Sequence, residues 1–350
     1  TTAVNAVAVG AGTSASGINS VYIGQTSFAT SASGQSAIAV GTDVTSSGDD
    51  ALAMGRESAA TATNAIAVGL QSSADTADSV AIGTRAIATG GKAVAIGADN
   101  VAYGDGAVAI GDPSFASGTG AFTGGANNIA NSDGTATATA ANTANGAVAI
   151  GNSNKAIGQG SVALGNGSTA GAAGLAGNVA LGNGAAAAAS SGDVALGSGS
   201  VTAVAVGTPN AVINGTTYAF QGTNPTSTVS IGAPGAERTI TNVAAGRISS
   251  TSTDAINGSQ LAATNQAVDA IGTTLSTIGS GVTNLGNTIN NIAGDTSTAY
   301  TDANGVGIRY ARTNEAGLAQ TDSFAQGVGS TAVGYQATAT GVSGLALGRD

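Results

Sequence analysis

The 350-residue chain has no cysteine, no histidine and no tryptophan. Without thiols or imidazoles it cannot build a Ser-His-Asp or Cys-His nucleophile, a thiol redox pair or a zinc site of the usual kind. It has no disulfides, which says nothing against an extracellular location. Aromatic residues make up 3%, so no core is built on large rings. Charged residues make up 8%, about a third of the usual quarter. The nine basic residues are scattered and the net charge is −10, a balance that argues against nucleic-acid binding. No run of about 18 apolar residues is present to span a bilayer, and no signal peptide opens the chain. The repeats described next run into both ends, so the sequence reads as a piece of a longer protein.

What the chain has is glycine, 56 residues, and 42% apolar residues, mostly small and aliphatic. Low charge with this apolar content is the reverse of a disordered composition. A five-residue word recurs: a small or polar residue, Val/Ile/Leu, Ala, Val/Ile/Leu/Met, Gly. It ends at Gly10, Gly24, Gly41, Gly55, Gly69, Gly83, Gly97 and Gly111, then at Gly151, Gly165, Gly182, Gly197, Gly207 and Gly232. A degenerate copy ends at Gly334 and another copy at Gly348.

The alternation has period two, the signature of a strand. A repeat of about 14 residues holds two short strands and two tight turns, which predicts one coil of a two-sided solenoid with parallel stacking. Val and Ile share one face and Ala the other. The Val/Ile face is expected to line the coil interior and the Ala face the exterior. A coil gaining ~1.5–3 kcal/mol per buried aliphatic residue does little against ~1–2 kcal/mol of backbone entropy per residue. The outer face is therefore expected to be covered by other copies, alanine face to alanine face around an axis. The alternative is a monomeric solenoid with an exposed alanine stripe.

Two segments break the period. Residues 112–146 read as a surface excursion or irregular coils, and residues 208–227 carry a hairpin signal at Asn214-Gly215. Beyond residue 258 the period becomes seven. Leu261, Val268, Leu275, Val282 and Ile289 fit position a; Thr264, Ile271, Ile278, Leu285 and Ile292 fit position d. Ion pairs at e and g are almost absent, and Gly272, Gly279, Gly281 and Gly286 weaken the helix. Ile at d disfavours a parallel dimer, and a parallel trimer fits the seam.

In this order, repeats, linker and heptads resemble the passenger domain of the trimeric autotransporter adhesins of Gram-negative bacteria, the YadA-like family, over almost the whole chain. The linker words are Ile240-Thr241-Asn242-Val243-Ala244-Ala245-Gly246 and Thr253-Asp254-Ala255-Ile256-Asn257-Gly258-Ser259-Gln260-Leu261. The resemblance implies a mainly β fold: a trimer of left-handed parallel β-rolls, a neck, and a parallel trimeric coiled coil. It divides the chain into a head at 1–232 with insertions at 112–146 and 208–227, a neck at 233–260, a stalk at 261–299, a connector at 300–328 and the start of a second head at 329–350. It implies that Arg238 and Asp254 pair between chains in the neck. The family's secretion signal and membrane-anchoring β-barrel have no counterpart in this sequence.

The implied function is that of a bacterial cell-surface adhesin, a homotrimeric rod binding a host extracellular-matrix protein or cell-surface receptor. The alternative is a spacer within a larger adhesin. Asn19-Ser20-Val21-Tyr22-Ile23-Gly24-Gln25-Thr26-Ser27 resembles the family's collagen-associated motif, with Tyr22 where the motif has alanine. An enzyme on a solenoid would need paired carboxylates. Asp49 with Asp50 and Asp75 with Asp78 are the candidates, and both pairs read as solvated turns. Aspartate does not recur in register, so the pattern calls for no calcium, and no cofactor is expected. Asn166-Gly167-Ser168 and Asn214-Gly215-Thr216 have sequon spacing and are taken as turns.

Overall fold

In the computed structural model the described residues are 3–28, 30–293, 306–308, 311–313, 317, 319 and 322–349. The five-residue word forms short strands that stack in parallel, coil on coil. Ile38 pairs with Leu52, Leu52 with Ile66, Ile66 with Val80 and Val80 with Val94. These strands build a 14-stranded sheet, and the intervening strands build a 10-stranded sheet facing it. The chain is mainly β, a parallel β-roll in which each coil lends one strand to each sheet.

The interior reverses the expected sides. Ala39, Ala53, Ala67, Ala81, Ala95 and Ala109 of the long sheet are fully buried within one chain. So are Ala60, Ala74, Ala88, Ala102 and Ala116 of the short sheet. The larger aliphatic residues beside them, among them Ile38, Met54, Ile82, Ile96, Ile110 and Ile150, point outward and are exposed. The alternation is the expected one and its direction is reversed. Connections of mostly two to five residues hold the two sheets closer than the ~10 Å of ordinary packed sheets, and methyl groups fit between.

Tyr22 is the exception that the interior accommodates. It stands in the alanine column, fully buried. Val21 pairs with Ile38 whereas Val7 pairs with Val21, so Tyr22's coil is three residues longer than the coil before it. The extra length opens space for the ring, and the Tyr22 hydroxyl accepts the Val44 N–H at 3.0 Å. Tyr22 is thus housed inside the roll of its own chain.

The glycine closing most words sits at a corner where the backbone turns through positive φ. At Gly55 φ is +120°, and an added Cβ would lie 2.5 Å from the Gly69 carbonyl oxygen of the next coil. The turn before each word uses a left-handed residue, such as Asp50, Asn64 or Asp78, types that tolerate it. At one corner the stack continues through buried Asn100, Asn128 and Asn154. The Asn128 amide donates to the Gly124 and Gly151 carbonyls at 2.9 and 2.7 Å, and Asn154 donates to those of Ile150 and Gly165, both at 2.8 Å.

The first irregular segment is shorter than 112–146. Strands Ser114–Ser117, Phe122–Ala126 and Asn128–Asn131 keep the stack going. The word there reads Phe-Thr-Gly-Gly, and parallel pairing needs only its backbone. The excursion proper is 132–143, folded onto the short sheet by Ser117, whose hydroxyl donates to the Thr139 carbonyl at 2.7 Å. The word at 203–207 is not a strand. Ten residues after Gly197 are too few for a coil, and the next strand of the long sheet is Val229–Ser230, paired with Val194–Leu196. Between them lies an antiparallel hairpin, Asn210–Ile213 with Thr216–Ala219.

The chain divides into two compact units. One holds residues 1–242 and 248–253, the other 243–247 and 254–350. The second contains one 36-residue helix, Gly258–Ala293, ~54 Å long at 1.5 Å per residue. The end of the expected stalk at 294–299 and about half of the connector at 300–328 lie outside the described residues. Within the connector Val306–Ile308 pairs antiparallel with Ala311–Thr313. Roll coils then resume, with Phe324–Ala325 on Thr338–Ala339 and Thr331–Val333 on Leu345–Leu347.

Two substitutions test this interior. Ala81→Leu is expected to lower stability by ~1–3 kcal/mol, the usual cost of overpacking. Gly55→Ala is expected to cost at least ~1–2 kcal/mol for its backbone conformation alone. Thermal denaturation followed by circular dichroism checks both, and an unchanged midpoint for Ala81→Leu would place alanine outside.

Candidate functional site

The features that bear on function are surfaces, since the roll interior is filled. The broadest is the outer face of the long sheet. Pairing in register sets Val80, Val94 and Val108 in one column and Ile82, Ile96 and Ile110 in a second. Two aliphatic columns thus run along the roll with no charged residue in them. Each of these side chains is only partly covered by its neighbours. Covering the rest would contribute on the order of 1 kcal/mol per side chain, about half of full burial.

The edges of the roll carry polar ladders. The Arg85 guanidinium makes two bonds to the Asp99 carboxylate, at 2.5 and 2.7 Å. Their hydrogen bonding raises the arginine above and holds the aspartate below its ordinary value. Asn152 donates to Asn166 at 2.7 Å and Asn166 to Asn183 at 2.9 Å. Asn166 is therefore engaged on both sides, and Ser168 of its sequon is buried. The carboxylates considered for hydrolysis are turn residues: Asp49 accepts the Gln35 N–H at 2.8 Å and Asp78 the Asn64 amide at 2.9 Å. Among the described residues no group of three or more acidic side chains gathers to hold a metal ion.

The collagen-like stretch is split by the strand's alternation. Ser20 and Tyr22 are buried inside the roll, and the Ser20 hydroxyl donates to the Gly17 carbonyl at 2.7 Å. Val21 and Ile23 join the outward columns. Gly24 turns the corner at φ +149°. Asn19 and Ser27 are exposed, Asn19 accepting the Asn5 amide at 3.1 Å and the Ser27 N–H donating to Asp43 at 2.5 Å. Of the seven candidates only Asn19, Ile23 and Ser27 present an exposed surface.

In the neck, Arg238 and Asp254 have separate partners within the chain. Arg238 closes the open end of the roll: its guanidinium donates to the Ser200 hydroxyl at 2.8 Å and to the carbonyls of Ile231 and Ser198. Asp254 receives Arg247, through Nε at 2.7 Å and a second nitrogen at 3.0 Å. That contact holds Asp254 below the usual carboxylate range. Sequence reasoning passed over three residues here, Arg247, Asn257 and Gln260. Gln260 clamps Gly246, accepting its N–H at 2.9 Å and donating to its carbonyl at 2.7 Å. Asn257 donates to the Val243 carbonyl at 3.1 Å. The spacing Asn257-x-x-Gln260 at a helix start is a capping-box pattern that could have flagged both.

Asp193 was also missed. It stands, fully buried, where earlier coils have alanine, and it anchors the chain returning from the hairpin. Its carboxylate accepts the N–H groups of Ala189, Ser190 and Thr228 at 3.1, 2.8 and 2.9 Å. Burial pushes its pKa up. The Thr228 N–H, the Thr202 hydroxyl and the Ser190 and Ala189 N–H groups outweigh that, leaving it below the ordinary carboxylate range. Beside this anchor a groove of about 520 Å³ opens at the end of the roll, lined by Val201, Val229, Ile231, Pro234, Glu237 and Arg238 among others.

The helix shows its heptad seam to solvent. Every a and d aliphatic from Leu261 to Ile292 is exposed, Leu275 by 67%. No helix among the described residues is long and apolar enough to cross a membrane.

The chain thus runs from a parallel β-roll through a clamped linker to a heptad helix, the order of the family resembled above. Known sequences agree. Residues 2–27, 32–58, 60–86, 88–112, 143–168 and 325–350 match the YadA head domain repeat. Residues 239–284 match the coiled stalk of trimeric autotransporter adhesin. The chain belongs to the YadA-like trimeric autotransporter adhesins. It is similar to autotransporter adhesin BtaE of Brucella suis biovar 1 (strain 1330), 60% identical over 75 residues, 21% of this chain and 10% of that protein. It is similar to autotransporter adhesin EhaG of Escherichia coli O157:H7, 46% identical over 100 residues, 29% of this chain and 5% of that protein. The matches thus span a small part of either relative. A solved structure, the C-terminal YadA-like domain of BPSL2063 from Burkholderia pseudomallei, is 54% identical over 32% of this chain and 50% of its own, with a TM-score of 0.28.

The Asp193 anchor has a pH signature. A carboxylate with a depressed folded pKa contributes stability that is present above its unfolded pKa and lost as pH falls through the folded one. Asp193→Asn is expected to cost ~1–3 kcal/mol at pH 7, with the gap from the wild type closing as pH drops below ~4. Parallel melts at pH 7 and pH 3 check this, and a gap that does not change would sink the assignment.

Proposed function

We propose that the chain is a homotrimeric segment of a bacterial surface adhesin that attaches the cell to host cells or extracellular matrix. The observation that carries the trimer is the pair of outward aliphatic columns on the roll, matched in the helix by an exposed seam. Both are apolar faces that one chain leaves uncovered, and exposed contiguous patches of this kind mark association. The chain's net charge of −10 makes copies repel, so their contact has to come through charge-free surfaces such as these. In the neck, the Arg238 guanidinium has donors beyond the bonds it makes within the chain and is available to Asp254 of a neighbouring copy.

Adhesion is supported by family membership and by the two relatives named as autotransporter adhesins. Three copies of each outward surface give avidity without a deep pocket. In the collagen-like stretch, Asn19, Ile23 and Ser27 are the side chains placed to meet a ligand. We read the protein as no enzyme: Asp49 and Asp78, one of each candidate carboxylate pair, are engaged in turn contacts. Its place is the outer surface of the outer membrane.

Sedimentation equilibrium is expected to give three times 32.5 kDa at all concentrations. Ile82→Ser with Ile96→Ser is expected to bring that mass toward the monomer while leaving the β signal in place. Binding of the trimer to immobilised collagen and to cultured epithelial cells then tests adhesion. A monomeric wild type overturns the trimer. A trimer that binds neither surface assigns this segment to a spacer role.

A further inference from the structure

The hairpin at 210–219 presents a problem that the proposed trimer would solve. An isolated two-stranded hairpin is marginal in water. Ala211 lies opposite Tyr218 and Ile213 opposite Thr216, so these four share a face, and strand alternation adds Phe220 to it. Ile213 is 61% exposed, Tyr218 51% and Phe220 43%. Three large apolar side chains on one face of a two-stranded ribbon are thus uncovered within the chain. The groove at the end of the roll, with Val201, Val229, Ile231 and Pro234 in its walls, is also open. The same chain carries both surfaces, and its own hairpin does not fill its own groove.

We infer that the apolar hairpin face of one copy docks into the roll-end groove of the neighbouring copy. This rests on the homotrimer proposed above and adds a specific joint to it. A cyclic trimer is built from heterologous contacts, in which one patch of a chain meets a different patch of the next, and three such contacts close a ring. The hairpin face and the groove are two such different patches, both apolar. Charge supports a second copy as the occupant. Residues 194–236 contain no Asp, Glu, Lys or Arg, and the groove's Glu237 and Arg238 cancel, so two chains of net charge −10 meet here without repulsion. The returning chain is tied to the roll where the Asp193 carboxylate accepts the Thr228 N–H.

The absence of native cysteine makes the test direct. Tyr218→Cys and Val229→Cys are introduced together into the full chain and oxidised under native conditions. The expected result is a covalent trimer on denaturing gels, with each single variant remaining a monomer there. If sedimentation shows a native trimer but oxidation gives only monomers, the docking is overturned while the homotrimer stands. If the wild type sediments as a monomer, the homotrimer itself fails and the docking with it. A second variant needs no cross-link: Tyr218→Ser with Phe220→Ser is expected to lower the trimer's thermal midpoint by several degrees. Loss of binding to collagen or cells with an unchanged midpoint would instead assign this face to an external ligand and overturn the proposal.

Discussion

The width of the coil is the constraint on which the rest depends. Two sheets joined by the shortest turns leave a gap that a methyl group fills and a branched side chain does not. Alanine thereby becomes the core residue of this protein, and the larger aliphatics are driven to the outside. A fold usually spends its best hydrophobic side chains on its own interior. Here they remain on the surface in columns, only partly covered by their neighbours. Backbone pairing between coils and the glycine corners hold the roll's shape, and the outward columns leave apolar surface that the proposed trimer would bury.

The helix obeys the same division. Its seam residues are exposed along the whole described length, and its interior glycines lower the intrinsic stability of the helical state. Neither unit is therefore self-sufficient in apolar burial. The chain segment that joins roll strands to helix relies on polar contacts instead. Arg238 satisfies carbonyls that the last coil leaves open, and Gln260 and Asn257 tie the start of the helix to Val243 and Gly246. These contacts close the ends of elements that would otherwise present unpaired backbone groups.

Much of this was legible in the residues. The period of the word and its two-fold alternation specified parallel coils, the Asn214-Gly215 pair specified the hairpin, and the heptads specified the helix. What could not be read was direction. Alternation says that Ala39 and Ile38 point to opposite sides; it does not say which side is inside, because that depends on how far apart the sheets stand. The candidate binding stretch is divided for the same reason: Ser20 and Tyr22 belong to it in sequence but lie inside the roll. The coil at 114–131 was hidden because Phe122-Thr123-Gly124 does not look like the word, although backbone pairing is indifferent to the change. Arg247 escaped notice because a single charge in a weakly charged chain has no pattern around it, and Asp193 because its partners are backbone groups.

Repetition carries a hazard, and the departures from the repeat answer it. Coils that are nearly identical can pair one step out of alignment at almost no energetic loss, so a perfectly regular chain would have many nearly degenerate ways to fold. Tyr22 can be housed only where its own coil is lengthened, and its hydroxyl has its N–H donor at Val44. Asn154 meets the Asn128 side-chain oxygen only when their two coils are adjacent. Shifted by one coil, Asn154 would lose that bond and Tyr22 would stand in a coil too short for its ring. The irregular residues thus act as a key that admits a single alignment, and a chain tidied into a perfect consensus would lose the information that tells one coil from the next.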